Sequence, residues 1–332
     1  MSHDRKPFWL VSRIVSLAII LSLFPVAAYT RPAQACLQLY WNGSNPTTAD
    51  YFWMDDSAGK TNWDDNNLTT PQMMHLDTND RLFFPERAVN KHATNDKVGS
   101  PITSPYPVYD ITFPDPGSSG YVLDGNPIQL TTNYGITDKA SAGTNTLALD
   151  ITFPNGLTVQ VEVDHAAVLE IVKNAFGSGK INKVGTGMLS LDFKADSTFN
   201  GTIQVNAGTL KVGKVTSGNF KLLSGTTLAA RINGPDDYSQ VKVTGTVNLG
   251  SATLDLSALP ETLNNQTYVL IDNNLADPVT GTFAGIAEGA LVQGTGGQLF
   301  TLSYKGGDGN DVVLTPFWYK TYTPVIAVMT GL

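Results

Sequence analysis

The sequence predicts an all-β protein, most simply a parallel β-helix (β-solenoid), with a β-sandwich as the alternative. Three observations carry this expectation. Short apolar–polar alternations recur, as in "TIQVNAGTLKV", where Ile203 and Val205, then Leu210 and Val212, share a face at the period of a strand. Gly-Thr steps introduce strand-like segments at Gly201-Thr202, Gly208-Thr209, Gly245-Thr246 and Gly281-Thr282, pairing a residue that turns easily with a β-branched one. The string "DITFP" occurs twice, from Asp110 and from Asp150, which suggests repeated units. One coil of a solenoid cannot bury its apolar side alone, but stacked coils hydrogen-bond and share a core.

Residues 1–35 read as a secretory signal peptide. Arg5, Lys6 and Arg13 form a positive start, "IVSLAIILSLFPVAA" is an apolar run, and "AQA" offers small residues for cleavage. The run is short for a spanning helix and is interrupted by Pro25. Cys36, the single cysteine, would be the first mature residue and is a candidate for lipidation. Alone it cannot form an internal disulfide, so stability must come from packing.

Residues 36–105 form an aromatic, polar N-terminal cap region of short strands and Asn/Asp/Gly turns, with "RLFFPER" as one strand stopped by Pro85. Residues 106–316 are the expected β-helix repeat domain, and 317–332 a C-terminal tail holding Phe317, Trp318, Tyr319 and Tyr322. "DHAAVLEIVKNAF" (164–176) carries helix formers behind Asp164 as an N-cap. Its alternation and strand-like flanks favour a strand.

Charged residues make up only 15% of the chain, while a hydrophobic fraction of 42% suffices for a continuous core. The formal charge is −8, and the leader carries Arg5, Lys6, Arg13 and Arg31 against Asp4, so the mature chain is more acidic still. Such a surface repels phosphate backbones and argues against a nucleic-acid partner.

The stretch "GSGKINKVGTGMLSLDFKADSTFNGTIQVNAGTLKVG" resembles the autotransporter-associated β-strand repeat, also called the passenger-associated transport repeat. The matching positions are Lys183, Gly185, Gly187, Leu189, Leu191, Phe199, Gly201, Thr202, Ala207, Gly208, Thr209 and Leu210. Downstream, "GPDDYSQVKVTGTVNLGSATLDL", "DPVTGTFAGIAEGALV" and "YKGGDGNDVVLTP" are similar to the C-terminal portion of the same exported proteins. The resemblance implies a right-handed parallel β-helix on or outside the bacterial cell, serving transport, folding and surface display, with no catalytic residues to carry over. The sequence departs from that family in showing one good repeat copy and no C-terminal segment long enough for a translocator barrel.

The chemistry-bearing residues are few. "GGDGNDVVL" matches the calcium-binding nonapeptide pattern, with Asp308 and Asp311 as candidate ligands. Such sites are built between tandem copies, and a single copy favours a Gly-rich turn into a strand. Trp41, Trp53 and Trp63 can stack on sugar rings, or can plug the open end of a solenoid, and the plug is favoured. The carboxylate pairs Asp55-Asp56, Asp64-Asp65 and Asp236-Asp237 point to opposite faces if they lie in strands, which suits solvated turns better than one acid–base site. His75, His92 and His165 are scattered, and no nucleophile elbow, phosphate loop or dinucleotide fingerprint occurs. The expectation is an exported, non-catalytic β-helical structural protein of the bacterial surface or extracellular matrix, acting in adhesion or display on a surface or matrix polysaccharide or protein. The alternative is a carbohydrate-binding or polysaccharide-degrading β-helix (a lyase or glycoside hydrolase), and no cofactor is expected beyond the candidate calcium.

Overall fold

A computed structural model describes residues 38–41, 62–64, 80–88, 90–96, 104–258, 266–274 and 276–317. Cys36, Trp53, Asp55, Asp56, Asp65, His75, Trp318, Tyr319 and Tyr322 lie outside the described residues. The described residues form strands and turns with no helix, and the strands fall into sheets of 12, 8 and 6. Coil-to-coil pairing is parallel through the body of the chain, so the fold is a β-solenoid rather than a sandwich.

Hydrogen-bond register stacks equivalent side chains into columns. In the first sheet Leu82, Ile111, Ile136 and Val161 occupy successive inward rungs. In the second, Leu169, Leu189, Leu210 and Leu228 do the same. All eight are buried in one continuous core. Period-two alternation puts every second residue of a strand into that column and its neighbours outside. Residues 164–176 obey it as the strands Ala166–Ile171 and Ala175–Phe176, after a turn in which His165 takes a positive φ of 53°.

A third sheet begins at Lys214–Ser217, which pairs with Gln240–Val243 and then Tyr268–Asn273. Its last strands reverse direction. Asp311–Phe317 lies antiparallel to Tyr268–Asn273, and Leu299–Gly306 and Leu291–Gln293 follow by hairpins. Antiparallel strands at the end of a parallel stack use up edge groups that would otherwise template another chain.

Two sequence expectations need correction. The "DITFP" copies are not equivalent rungs. Ile111 sits opposite Ile136, near the end of the long strand Ile128–Asp138, whereas Ile151 sits opposite Ile128 at its start. Rung spacing follows hydrogen-bond register, and loops of unequal length let like strings fall at unlike places. Gly201-Thr202, Gly208-Thr209 and Gly245-Thr246 do open strands, but Gly281-Thr282 does not. There the chain bends, and Phe283 is buried without joining a sheet.

Glycine is required where coils approach most closely. A Cβ at Gly201 would collide with the carbonyl of Gly179 in the coil beneath it. Gly208 turns the next corner at φ 70°, with the carbonyls of Gly185 and Gly187 each 2.5 Å from where a Cβ would stand.

Candidate functional site

Trp41 and Trp63 are fully buried, so they present no ring face to a sugar. Their centroids lie 5.3 Å apart, edge to face. Phe84 packs against Trp63 at 5.6 Å, against Phe113 at 5.5 Å and against Tyr121 at 5.4 Å. The polar edges are satisfied: the Trp41 indole N–H donates to the Asn90 carbonyl at 2.8 Å, and the Tyr121 hydroxyl to the Pro85 carbonyl at 2.6 Å. This is an internal aromatic plug at the N-terminal end of the described core.

The outward-facing aromatics, half-buried except for the exposed Tyr134, are different residues on the outer face of the sheet. Tyr40 alternates with Leu39 and Trp41, and Phe83 with Leu82 and Phe84, so each points outward. Their rings stack at 4.8 Å, 23° from parallel. A second stacked pair, Tyr109 and Tyr134, lies at 5.8 Å and 21°. Tyr134 is 64% exposed.

A bulge creates the second pair. Val108 pairs with Leu130, but Asp110 pairs with Gly135, so the four residues 131–134 stand against Tyr109 alone and arch outward. Hydroxyls hold the arch: Thr131 donates to the Val108 carbonyl at 3.2 Å and Thr132 to the Tyr109 carbonyl at 2.8 Å. Asn133 accepts the Thr158 N–H at 2.8 Å. Gly135 closes it at φ 66°, and a Cβ there would collide with the Gln160 carbonyl.

Arg81 joins the two pairs. Its guanidinium carbon lies 5.6 Å from the Phe83 ring centre and 5.9 Å from those of Tyr109 and Tyr134. Its Nε donates to Asp110 at 2.8 Å. Asp110 occupies an outward rung but is only 3% exposed, beside Gly135 in the register. Burial raises its carboxyl above the ordinary range, and the charge and hydrogen bond of Arg81 pull it back only in part. Arg87 lies over Tyr40 at 5.3 Å. The result is a terrace of four aromatic rings and two guanidinium groups on one outer face. Ring faces suit the C–H faces of a pyranose, and guanidinium N–H groups suit its oxygens.

The other sequence candidates lie elsewhere. Asp308 is exposed at the tip of the hairpin between Leu299–Gly306 and Asp311–Phe317. Asp311 sits opposite Gly306, and one of its oxygens accepts the Asn273 N–H at 2.8 Å. The Gly-rich turn into a strand is what "GGDGNDVVL" forms, with antiparallel arms rather than stacked parallel turns. Among the described residues, no three His, Cys, Asp or Glu side chains group to hold a metal ion. Asp237 closes its own loop, pairing with Arg231 at 3.1 Å and accepting from Asn233 at 2.9 Å. His92 contacts Asp124 at 2.8 Å.

Sequence reasoning did not single out the terrace. The signal was available in "QLYW" and "RLFF", where aromatics fall on both phases of the alternation. Only one phase can be core; the other must be surface.

Compared with known proteins, the chain matches no family model, no curated protein and no solved structure.

Proposed function

We propose that this is an exported, non-catalytic β-solenoid of the bacterial surface or extracellular matrix, which adheres by docking saccharide on the Tyr40–Phe83 and Tyr109–Tyr134 terrace. The observation that carries the reading is Tyr134, 64% exposed and stacked on Tyr109 beside the Arg81 guanidinium. A large aromatic on a hydrogen-bonded bulge, stacked on a neighbouring ring, has little mobility left to lose on binding. Support for export comes from the leader-like residues 1–35, and support for a display role from the resemblance of residues 177–213 to the passenger-associated repeat. Acylation of Cys36 is the proposed route to anchoring.

A polysaccharide-cleaving role is the second reading, and Asp110 is its one specific support. A carboxyl group raised by burial beside aromatic rings is a pattern shared with catalytic acids. Incubation with soluble neutral polysaccharides separates the two readings, since adhesion predicts retention without shortening and cleavage predicts new chain ends. Protease shaving of intact cells tests location. Loss of the cell-bound chain is expected, and full protection inside the envelope would contradict surface adhesion.

A further inference from the structure

We infer that a lysine-lined cleft where the third sheet begins binds the carboxylates of an acidic, uronate-type saccharide. This site is separate from the terrace and does not rest on it. The cleft encloses about 490 Å³ between the loop starting at Asp192 and the strands Lys214–Ser217 and Gln240–Val243. That volume lies within the ordinary range for small-ligand sites. The loop is fastened to the sheet, because the Phe193 N–H donates to the Lys214 carbonyl at 2.8 Å and the Lys214 N–H donates to Asp192 at 3.0 Å.

Lys194, Lys214 and Lys242 line the cleft against a single acidic side chain, Asp192. Asp192 is already engaged, by the Lys214 N–H and by Lys194 at 3.1 Å. Lys214 places its ammonium 3.8 Å from the centre of the Tyr238 ring. Among the described residues, neither Lys214 nor Lys242 has a carboxylate within salt-bridge distance. Burial lowers the Lys214 ammonium below the ordinary lysine range, the charges of Lys242 and Arg231 lower it further, and those of Asp237 and Asp192 pull it back only in part. Lys214 and Lys242 lie on the same outward face of two paired strands, and an anion held over that face offsets the repulsion between their ammonium groups.

The neighbouring groups narrow the chemistry. Thr216 also lines the cleft, and its hydroxyl is buried with no hydrogen-bond partner among the described residues. Gln240 and Ser197 add polar edges, and Ala195 and Val215 add apolar surface. Isolated carboxylates spaced by hydroxyl-bearing rings use all of these.

The test is calorimetric titration of the full chain with an oligogalacturonate, with its methyl ester, and with inorganic phosphate. The oligogalacturonate should bind, more weakly as salt rises, and the uncharged ester should not. Lys242→Gln, at an exposed position, should weaken binding about tenfold with an unchanged melting temperature. Lys194→Gln should act in the same direction. Equal binding of the methyl ester, binding of phosphate alone, no binding of the oligogalacturonate, or unchanged affinity in both lysine variants would each overturn the proposal. Failure here leaves terrace binding of neutral saccharide standing, because Lys242 lies on a different sheet from Tyr134.

Discussion

The ammonium of Lys183 donates a hydrogen bond to the carbonyl of Ala207, in the next coil, at 3.2 Å. It also donates to the carbonyls of Val184 and Gly185 at 2.7 and 2.8 Å. Lys183 is fully buried and occupies an inward rung between Val161 and Val205, in a column otherwise apolar. Its methylene stem packs as core, while its three donors meet three carbonyls at the corner between the first and second sheets. One side chain thereby ties a turn to the turn above it.

Replacing Lys183 with Met keeps the stem and removes the donors. Lys183→Met should lower stability by about 1–3 kcal/mol at pH 7, the cost of leaving buried acceptors unpaired. Burial pushes the Lys183 ammonium down to about 8, with Asp164 and Glu162 pulling it back up, whereas a free lysine sits near 10.5. Between those values the unfolded chain binds more protons than the folded chain, so stability from this group rises with pH across that window. Thermal unfolding of both proteins from pH 7 to 10.5 should show the deficit of the variant widening above pH 8. Coincident curves at every pH would refute the role assigned to this lysine.

Trp63 belongs to the plug. Trp63→Ala should cost about 3–5 kcal/mol through lost burial and the cavity left behind. Protease sensitivity should appear in residues 38–96 while the later coils stay protected, since solenoid coils lean mainly on their neighbours. A variant that melts like the parent yet loses glycan binding would reassign Trp63 to a binding surface.

Gly201→Ala tests coil spacing. The added methyl meets the Gly179 carbonyl, and relief requires the coils to part. Destabilisation of about 1–3 kcal/mol is expected in chemical denaturation. Gly225→Ala is a control for crowding. No atom lies within 4 Å of its Cβ position, although its φ of 80° adds a strain independent of neighbours. If Gly201→Ala proves milder than Gly225→Ala, close coil contact is not what requires glycine at 201.

The parallel stack was legible because alternation is local. Ile181 and Lys183 fall on one phase, so the period itself puts Lys183 inside, although side-chain polarity argues for Val184. Where a new sheet begins was not legible. "KVTS" alternates as "TLKV" does just before it, and only its pairing with Gln240–Val243 marks a third side. The terrace was hidden for a related reason. Tyr109 and Tyr134 are brought together by an arch whose extra residues show only against the partner strand. The string "GGDGNDVVL" runs through a Gly-rich turn into a strand, but its antiparallel arms depend on a distant partner, Tyr268–Asn273, that the string itself does not show.

The most direct test of the account is affinity electrophoresis of the full chain through gels loaded with soluble neutral polysaccharides, run beside Tyr134→Ala. Tyr134 is exposed, so its truncation should leave the melting temperature unchanged. The account predicts retardation of the parent by at least one polysaccharide and about tenfold weaker retention of the variant, roughly 1.4 kcal/mol. Equal retention of the two proteins, or free migration of the parent in every gel, would contradict saccharide docking on the terrace.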